Sequence, residues 1–298
     1  MPHLRQRMSR QSNKIALKEL NGKVAYLTPI FDRGLFRFRR IIEQSNVLAI
    51  SDQASAIQSG IESIVYNRAQ LERYIRRRPI YALSLDPLQI EESAPEVVKL
   101  ASLAAAAAQV GPMAAVPGAL AELAVRDMVL EGASVSLIEN GGEIAATSTQ
   151  PLIVGVYAGA SPLSGRIGFH LVIEDFPIGI ATSSATVSHA LNFGEADAAV
   201  VVADTASLAD AAAKAVCNSV VGKDIEASVQ SGLKMAMSIP GVRGALVIRR
   251  NCVGTVGKLP RLIKLNSTKE ELFRASLQGM PPQETAPLSF RVSPNNQV

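Results

Sequence analysis

The chain has few of the residues that build stacking platforms and metal sites. No tryptophan occurs among its 298 residues, and aromatic residues make up only 4% of them. The core must therefore consist mainly of Ala, Val, Leu and Ile. The two cysteines, Cys217 and Cys252, and the three histidines lack CxxC or zinc-motif spacing, so no zinc site is expected.

Long apolar runs and a strong charge of either sign are absent as well. No segment is an unbroken apolar run of membrane length, and residues 1–14 are basic and polar, unlike a signal peptide. We therefore expect a cytoplasmic protein with no membrane partner. The formal net charge is only +4, and Arg76-Arg77-Arg78 is typical of a solvated helix end. We therefore expect no nucleic-acid partner, whereas an anionic small molecule suits this charge.

The hydrophobic pattern indicates an α+β fold, with mixed or antiparallel sheets layered with helices. Runs of candidate strands alternate with pairs of helices, and no GxGxxG motif supports a dinucleotide-binding domain. A hydrophobic content of 48% allows one large domain, or two closely packed lobes, over residues 15–266. Residues 1–14 and most of 267–298 are expected to be disordered. The apolar composition is compatible with a homodimer.

Short local signals predict where several elements begin and end. Asn21-Gly22 favours a two-residue hairpin turn between neighbouring strands. Ser93 followed by Glu96 fits a capping box at the start of a helix that continues through the alanines. Gly111-Pro112 ends that helix, Pro117 begins the next one, and Gly132 ends it.

The bend over residues 111–118 is the first candidate ligand segment. Gly111, Pro112 and Met113 lead into a helix N-terminus, where backbone N–H groups and the helix dipole favour a phosphate or a carboxylate. A tight connection between two helices, without a ligand, explains the same pattern.

The turn over residues 139–143 is the second candidate. Asn140, Gly141 and Gly142 would let the backbone approach a ligand closely, while Glu139 or Glu143 binds a hydroxyl group or a metal ion. A plain hairpin needs the same residues for its turn conformation.

The hydroxyl-rich segment that follows an apolar strand is the third candidate. Side chains of Thr182, Ser183, Ser184 and Thr186 could hydrogen-bond phosphate oxygens, and His189 could transfer a proton. The alternative is a merely polar loop. No GxSxG elbow supports a Ser-His-Asp triad.

One face of the helix predicted over residues 208–221 carries three chemically useful side chains. Asp210, Lys214 and Cys217 stand at positions i, i+4 and i+7. Asp210 could bind a metal ion or a hydroxyl group, and Lys214 a phosphate. An exposed ion pair and a buried structural cysteine explain the same spacing without a function.

Together these segments resemble the UPF0280 family, a group within the ApbE-like superfamily. The resemblance covers about residues 45–260, and the joint order of its motifs is more specific than any one motif. The motifs are VGPMAAV (110–116), ENGGEI (139–144), GIATSS (179–184), HALNFGEADA (189–198) and LADAA (208–212).

The resemblance implies an ApbE-like fold and chemistry related to flavin transfer. ApbE enzymes use FAD and Mg²⁺ to attach FMN to a Thr or Ser of a target protein. Three departures stand out. Glu143 replaces the family's Asp, His189 is not followed by Asp-Pro-x-Thr-Gly, and Lys214 stands where a metal-binding Thr belongs.

Three functions follow from these observations. The leading hypothesis is a cofactor-related transferase that binds a small phosphorylated ligand (FAD, FMN or another nucleotide) and Mg²⁺. In it, Glu143 and Asp210 position the metal ion, and His189 and Asp210 are the candidate catalytic residues. The second is a thiol-handling enzyme that uses Cys217 or Cys252 as nucleophile. The third is a non-catalytic ligand-binding or assembly protein.

Overall fold

A computed structural model describes residues 15–18, 24–27, 29–159, 161–186, 192–265 and 284–287. Its helices are α1 (Ala54–Arg77), α2 (Ile80–Leu83), α3 (Glu96–Ala108), α4 (Val116–Leu130), α5 (Ala206–Ser219) and α6 (Ile225–Ser238). Short 3-10 turns cover Pro112–Ala115 and Ile173–Asp175.

Fifteen strands occur within the described ranges. They are β1 (Ile15–Lys18), β2 (Val24–Leu27), β3 (Ile30–Asp32), β4 (Leu35–Ile42), β5 (Ser45–Ser51), β6 (Val135–Asn140), β7 (Glu143–Ser148), β8 (Leu152–Gly155), β9 (Ile167–Leu171), β10 (Ile178–Ser183), β11 (Ala198–Ala203), β12 (Val242–Arg249), β13 (Cys252–Gly257), β14 (Arg261–Leu265) and β15 (Glu284–Pro287). The segment 1–14, predicted to be disordered, lies outside the described residues. So does 267–298, except for β15, which pairs with β14.

A nine-stranded antiparallel sheet forms the centre of the fold. Its strand order is β13-β12-β11-β10-β7-β6-β5-β4-β3, and each neighbouring pair is antiparallel. Both faces of this sheet are buried. In β11, for example, Ala199 and Val201 pack into one core while Val200 and Val202 pack into the other. The unbroken apolar run of this strand therefore reflects burial on both sides.

Helices cover one face of the large sheet, and a four-stranded sheet covers the other. Residues of α1, α3, α4, α5 and α6 pack with the sheet in the first core. Strands β15-β14-β9-β8 form the smaller sheet, and Ile167, Phe169 and Leu171 pack from β9 into the second core. This layered arrangement confirms the predicted α+β class.

Most local signals match the observed boundaries, but two do not. Helix α4 contains Pro117 in its first turn, and Gly132 follows its end with a φ of +96°. The capping box at Ser93 is wrong, because Pro95 precedes the first residue of α3 and no side chain caps the helix. Proline already fixes the extended approach to the helix, which leaves no role for Ser93 at the cap.

The hairpin of β1 and β2 also departs from its predicted register. A two-residue Asn21-Gly22 turn would pair Ala16 with Leu27, whereas Ala16 pairs with Tyr26. The connecting residues 19–23 lie outside the described residues.

Within the described ranges, no single helix is both long and apolar enough to cross a membrane. Residues Glu96–Ala108 and Pro112–Leu130 meet the length and composition criteria only as a pair, and they are bent by 105°.

Candidate functional site

The N-terminus of α5 packs closely against helix α4 and strand β10. Thr205 caps it, because its Oγ1 accepts a hydrogen bond from the backbone N–H of Leu208 at 3.3 Å. Gly118 of α4 and Gly179 of β10 both lie against this end. A Cβ at Gly118 would be 2.3 Å from the Ala206 carbonyl oxygen, and a Cβ at Gly179 would be 2.2 Å from that of Thr205. Glycine at these two positions allows α5 to approach closely.

The turn between β6 and β7 lies beside the same end of α5. Gly141 and Gly142 have φ values of +78° and +127°, which only glycine adopts readily. Asn140 connects the turn to α4, because its Nδ2 donates a hydrogen bond to the Pro117 carbonyl at 3.1 Å. The backbone N–H of Gly141 donates a hydrogen bond to the Asn46 carbonyl oxygen of β5 at 3.0 Å.

Two carboxylates near this turn, Glu143 of β7 and Asp210 of α5, interact electrostatically. Asp210 is 9% exposed, and its Oδ2 accepts a hydrogen bond from the Gly118 N–H at 2.9 Å. Burial raises the pKa of Asp210 to about 8, although the Gly118 hydrogen bond and the charge of Lys214 oppose the shift. Burial and then the charge of Asp210 raise the pKa of Glu143 well above its usual value. The pair therefore favours holding a proton at neutral pH.

Lys214 brings a positive charge to the two carboxylates. It stands one turn after Asp210 on α5, and its Nζ donates a hydrogen bond to Asn192 Oδ1 at 2.7 Å. The same Asn192 oxygen accepts from Ser183 Oγ at 3.2 Å, and Asn192 Nδ2 donates to the Ser184 carbonyl at 2.7 Å. Burial lowers the pKa of Lys214, and the charges of Cys217, Asp210 and Glu143 oppose that shift.

The hydroxyl side chains that were predicted to form one cluster do not all lie in the same place. Ser183 faces the helices and reaches Asn192, but Thr182 points to the opposite side of the sheet because side chains alternate along β10. Ser184 Oγ accepts a hydrogen bond from the Thr186 N–H at 3.1 Å and lies 3.2 Å from its hydroxyl. Ser184 and Thr186 thus stabilise their own turn, and Ser183 is the hydroxyl bonded to the Asn192–Lys214 pair.

Close packing accounts for the first residues of the bend at 111–118. A Cβ at Gly111 would be 2.0 Å from the Ser84 carbonyl oxygen, and Pro112 is buried. Met113 is 37% exposed. A role for these three residues in ligand binding stays a prediction, whereas Gly118, at the other end of the bend, contacts Asp210 directly.

His189, the predicted proton-transfer residue, lies outside the described residues. The two cysteines lie in surroundings that disfavour a thiolate. Cys217 is fully buried, and burial raises its pKa despite a hydrogen bond with Ser183. Burial and the charges of Glu226 and Asp224 raise the pKa of Cys252. A protonated thiol is a weak nucleophile, so these surroundings give the thiol-enzyme hypothesis no support.

The side chains around Asp210 do not fit a bound Mg²⁺ ion. Magnesium prefers six oxygen ligands in an octahedron, and in the described part of the chain no group of three or more His, Cys, Asp and Glu converges on one point. The ammonium of Lys214 also acts electrostatically on both Glu143 and Asp210, the predicted metal ligands. A divalent ion would have to share these carboxylates with another cation.

Sequence reasoning identified the carboxylates of the site but not the residue that links its parts. The turn and helix patterns pointed to Glu143, Asp210 and Lys214. Asn192 was part of a family motif without an assigned role, and its contact with Lys214 spans 22 residues along the chain.

Comparisons with known proteins agree with this fold. A family model described as AbpE bacteria matches residues 31–248. A UPF0280 protein of Methanocaldococcus jannaschii is 40% identical over 242 residues, which cover 80% of this chain and 98% of that protein. A UPF0280 protein of Methanopyrus kandleri is 38% identical over 234 residues, covering 78% and 94%.

A solved structure shares the architecture at much lower identity. The apo form of the Pseudomonas stutzeri flavinyl transferase ApbE matches with a TM-score of 0.51 and 13% identity, covering 76% of this chain and 96% of that one. At this identity the likeness concerns the fold alone.

Proposed function

The chain belongs to the UPF0280 family, within the ApbE-like group, and we propose that it binds a small phosphorylated ligand, a flavin or another nucleotide, around Asp210 and Lys214. The observation that carries this proposal is the convergence of three separate segments on α5. The first residue of β7 is Glu143, the N-terminal end of α4 contributes the Gly118 N–H, and the end of β10 contributes Ser183.

The chemistry of these groups suits a ligand that carries both phosphate and hydroxyl groups. Lys214 supplies an ammonium for phosphate oxygens, and Ser183 and Asn192 fix the position of its chain through hydrogen bonds. A carboxyl group that keeps its proton near neutral pH, as Asp210 does, can donate a hydrogen bond to a ligand oxygen. Buried groups with shifted pKa values are typical of functional sites.

The same groups support a transferase related to cofactor chemistry. With a pKa of about 8, Asp210 can both give and take a proton near neutral pH, as general acid–base catalysis requires. The relatedness in fold to a flavinyl transferase favours a flavin as the first ligand to test. The residues of this chain must carry the chemistry.

Titration with FMN and with riboflavin tests the proposal, because the two ligands differ only by the phosphate. We expect FMN to bind, as followed by quenching of flavin fluorescence, and riboflavin to bind at least tenfold more weakly. Lys214→Ala should weaken FMN binding by about tenfold or more, since it removes a charge-assisted contact of about 1.5–3 kcal/mol.

Lys234→Ala is the matched control, because Lys234 is exposed on α6. It should leave FMN binding unchanged. Equal binding of FMN and riboflavin, or equal effects of the two lysine substitutions, would contradict the proposal. AMP and FAD in the same titration separate a flavin site from a general nucleotide site.

A further inference from the structure

Asp210 lies among charged groups of the protein itself. Glu143 and Asp210 contribute two carboxylates, and Lys214 acts on both as a counter-charge. The nearby carboxylate of Glu139 has its own partner, because Arg39 NH2 lies 3.4 Å from its Oε2. The positive charge of Lys214 therefore acts on Glu143 and Asp210, whereas Glu139 pairs with Arg39.

The side chain of Lys214 is held in place rather than left to solvent. Its Nζ donates to Asn192 Oδ1 at 2.7 Å, and Asn192 is in turn bonded to the Ser184 carbonyl at 2.7 Å. Lys214 itself starts from α5, one turn beyond Asp210 and on the same helix face. A lysine anchored in this way presents its charge at a defined position, as a bound ion would.

A divalent ion at the same position meets two obstacles. The ammonium repels it at short range, and this repulsion is screened little in a buried site. One oxygen of Asp210 is also engaged by the Gly118 N–H at 2.9 Å, which reduces its capacity as a metal ligand. A Mg²⁺ site needs oxygen ligands on all sides. An ammonium group and a carboxylate oxygen that already accepts a hydrogen bond do not meet this need.

We propose that the Lys214 ammonium, held beside Asp210 on the same face of α5, takes the place of a divalent cation, so that this protein binds its phosphorylated ligand without Mg²⁺. The part of the inference that concerns the ligand rests on the proposed function. The part that concerns metal ions does not. A lysine supplies one positive charge, does not exchange with solution, and makes ligand binding independent of the metal concentration.

Manganese binding to the ligand-free protein tests the metal part alone. Mn²⁺ is the probe, followed by the loss of its free-ion signal in electron paramagnetic resonance. We expect no binding to the wild-type protein at micromolar Mn²⁺. Lys214→Thr removes the ammonium and adds an oxygen, and it should bind Mn²⁺ at least tenfold more tightly than the wild type.

Two results would overturn the inference. One is micromolar Mn²⁺ binding by the wild type that disappears in Glu143→Gln or Asp210→Asn. The other is a folded Lys214→Thr variant, checked by its thermal transition, that binds Mn²⁺ no better than the Lys234→Thr control. If Lys214→Thr fails to fold, the wild-type titration and Lys214→Met, which keeps the length of the chain, still decide the question.

Titration with FMN in the presence of EDTA or of millimolar Mg²⁺ tests the ligand part. We expect the same affinity under both conditions. Binding that requires Mg²⁺ would refute this inference and leave the proposed function intact. Failure to bind FMN, FAD or AMP under either condition would refute the proposed function, while the Mn²⁺ experiment still judges the role of Lys214.

Discussion

At the scale of single residues, Asp210 connects α5 to α4 and belongs to the proposed ligand site. It is almost completely buried, its Oδ2 accepts the Gly118 N–H, and Lys214 offsets its charge. Burial nevertheless dominates, and the pKa of the carboxyl group rises to about 8. In the unfolded chain this group titrates near 4. Between these two values the folded protein binds a proton that the unfolded chain does not.

Asp210→Asn should therefore change how stability depends on pH. Because the pKa of Asp210 is raised on folding, its protonation stabilises the folded state fully below about pH 4, and this contribution is lost as the pH rises to about 8. The variant has no such loss. We expect the variant to gain stability relative to the wild type between pH 5 and pH 9, by on the order of a few kcal/mol.

Urea unfolding at pH 5, 7 and 9 measures this difference. Asp127→Asn on α4 is the control for removing a carboxylate that does not belong to this pair. A difference between Asp210→Asn and the wild type that stays constant from pH 5 to pH 9 would contradict the raised pKa.

The sequence predicted individual residues of the site where a local signal marked them. Gly141 and Gly142 show a turn, and the spacing of Asp210 and Lys214 shows one helix face. The sequence could not predict which hydroxyl reaches the site. Thr182 and Ser183 are neighbours on β10, and their side chains differ only in which face of the sheet they point to. The direction of that alternation depends on which face of the sheet the helices cover, and a local sequence pattern does not reveal it.

At the scale of elements, the position of α5 depends on two glycines in neighbouring elements. Gly118 of α4 and Gly179 of β10 meet the backbone of Thr205 and Ala206 from different sides. Backbone atoms cannot move away as a flexible side chain can. Because Asp210 lies in the second turn of α5, any shift of this helix displaces the carboxylate from the Gly118 N–H.

Gly118→Ala and Gly179→Ala should each destabilise the protein, by about 1–3 kcal/mol or more, as overpacking of a close contact does. Gly60→Ala in α1 is the matched control, because its Cβ would meet the side chain of Met128 at 2.9 Å rather than backbone. It should change stability by less than either of the other two, since alanine also favours the helix. Thermal unfolding measures the relative stability of the three variants. A Gly60→Ala variant that loses as much stability as Gly118→Ala would contradict this prediction.

Element boundaries were predictable where proline or glycine fixes the backbone, as at Pro117 and Gly132. The capping box at Ser93 failed because such a motif states only that a hydrogen bond can form. The register of β1 and β2 failed for a related reason, since Asn21-Gly22 favours one turn type without excluding longer connections.

At the scale of the whole molecule, the large sheet has one core on each face, and the candidate site lies on the face covered by helices. The α+β class followed from the alternation of strand runs and helix pairs. The strand order did not, because β10 lies between β7 and β11, and the partner of each strand depends on long connections. The same topology brings Glu143 at the start of β7 and Ser183 at the end of β10 towards α5, against which Gly118 of α4 also packs.

Native mass spectrometry of the purified protein, before and after the addition of FMN or FAD, tests the central claim most directly. The account predicts a folded protein whose mass increases by one phosphorylated ligand per chain, retained with EDTA present and reduced in Lys214→Ala but not in Lys234→Ala. A protein that shows no added mass with FMN, FAD or AMP, with or without Mg²⁺, would contradict a phosphorylated-ligand site around Asp210 and Lys214.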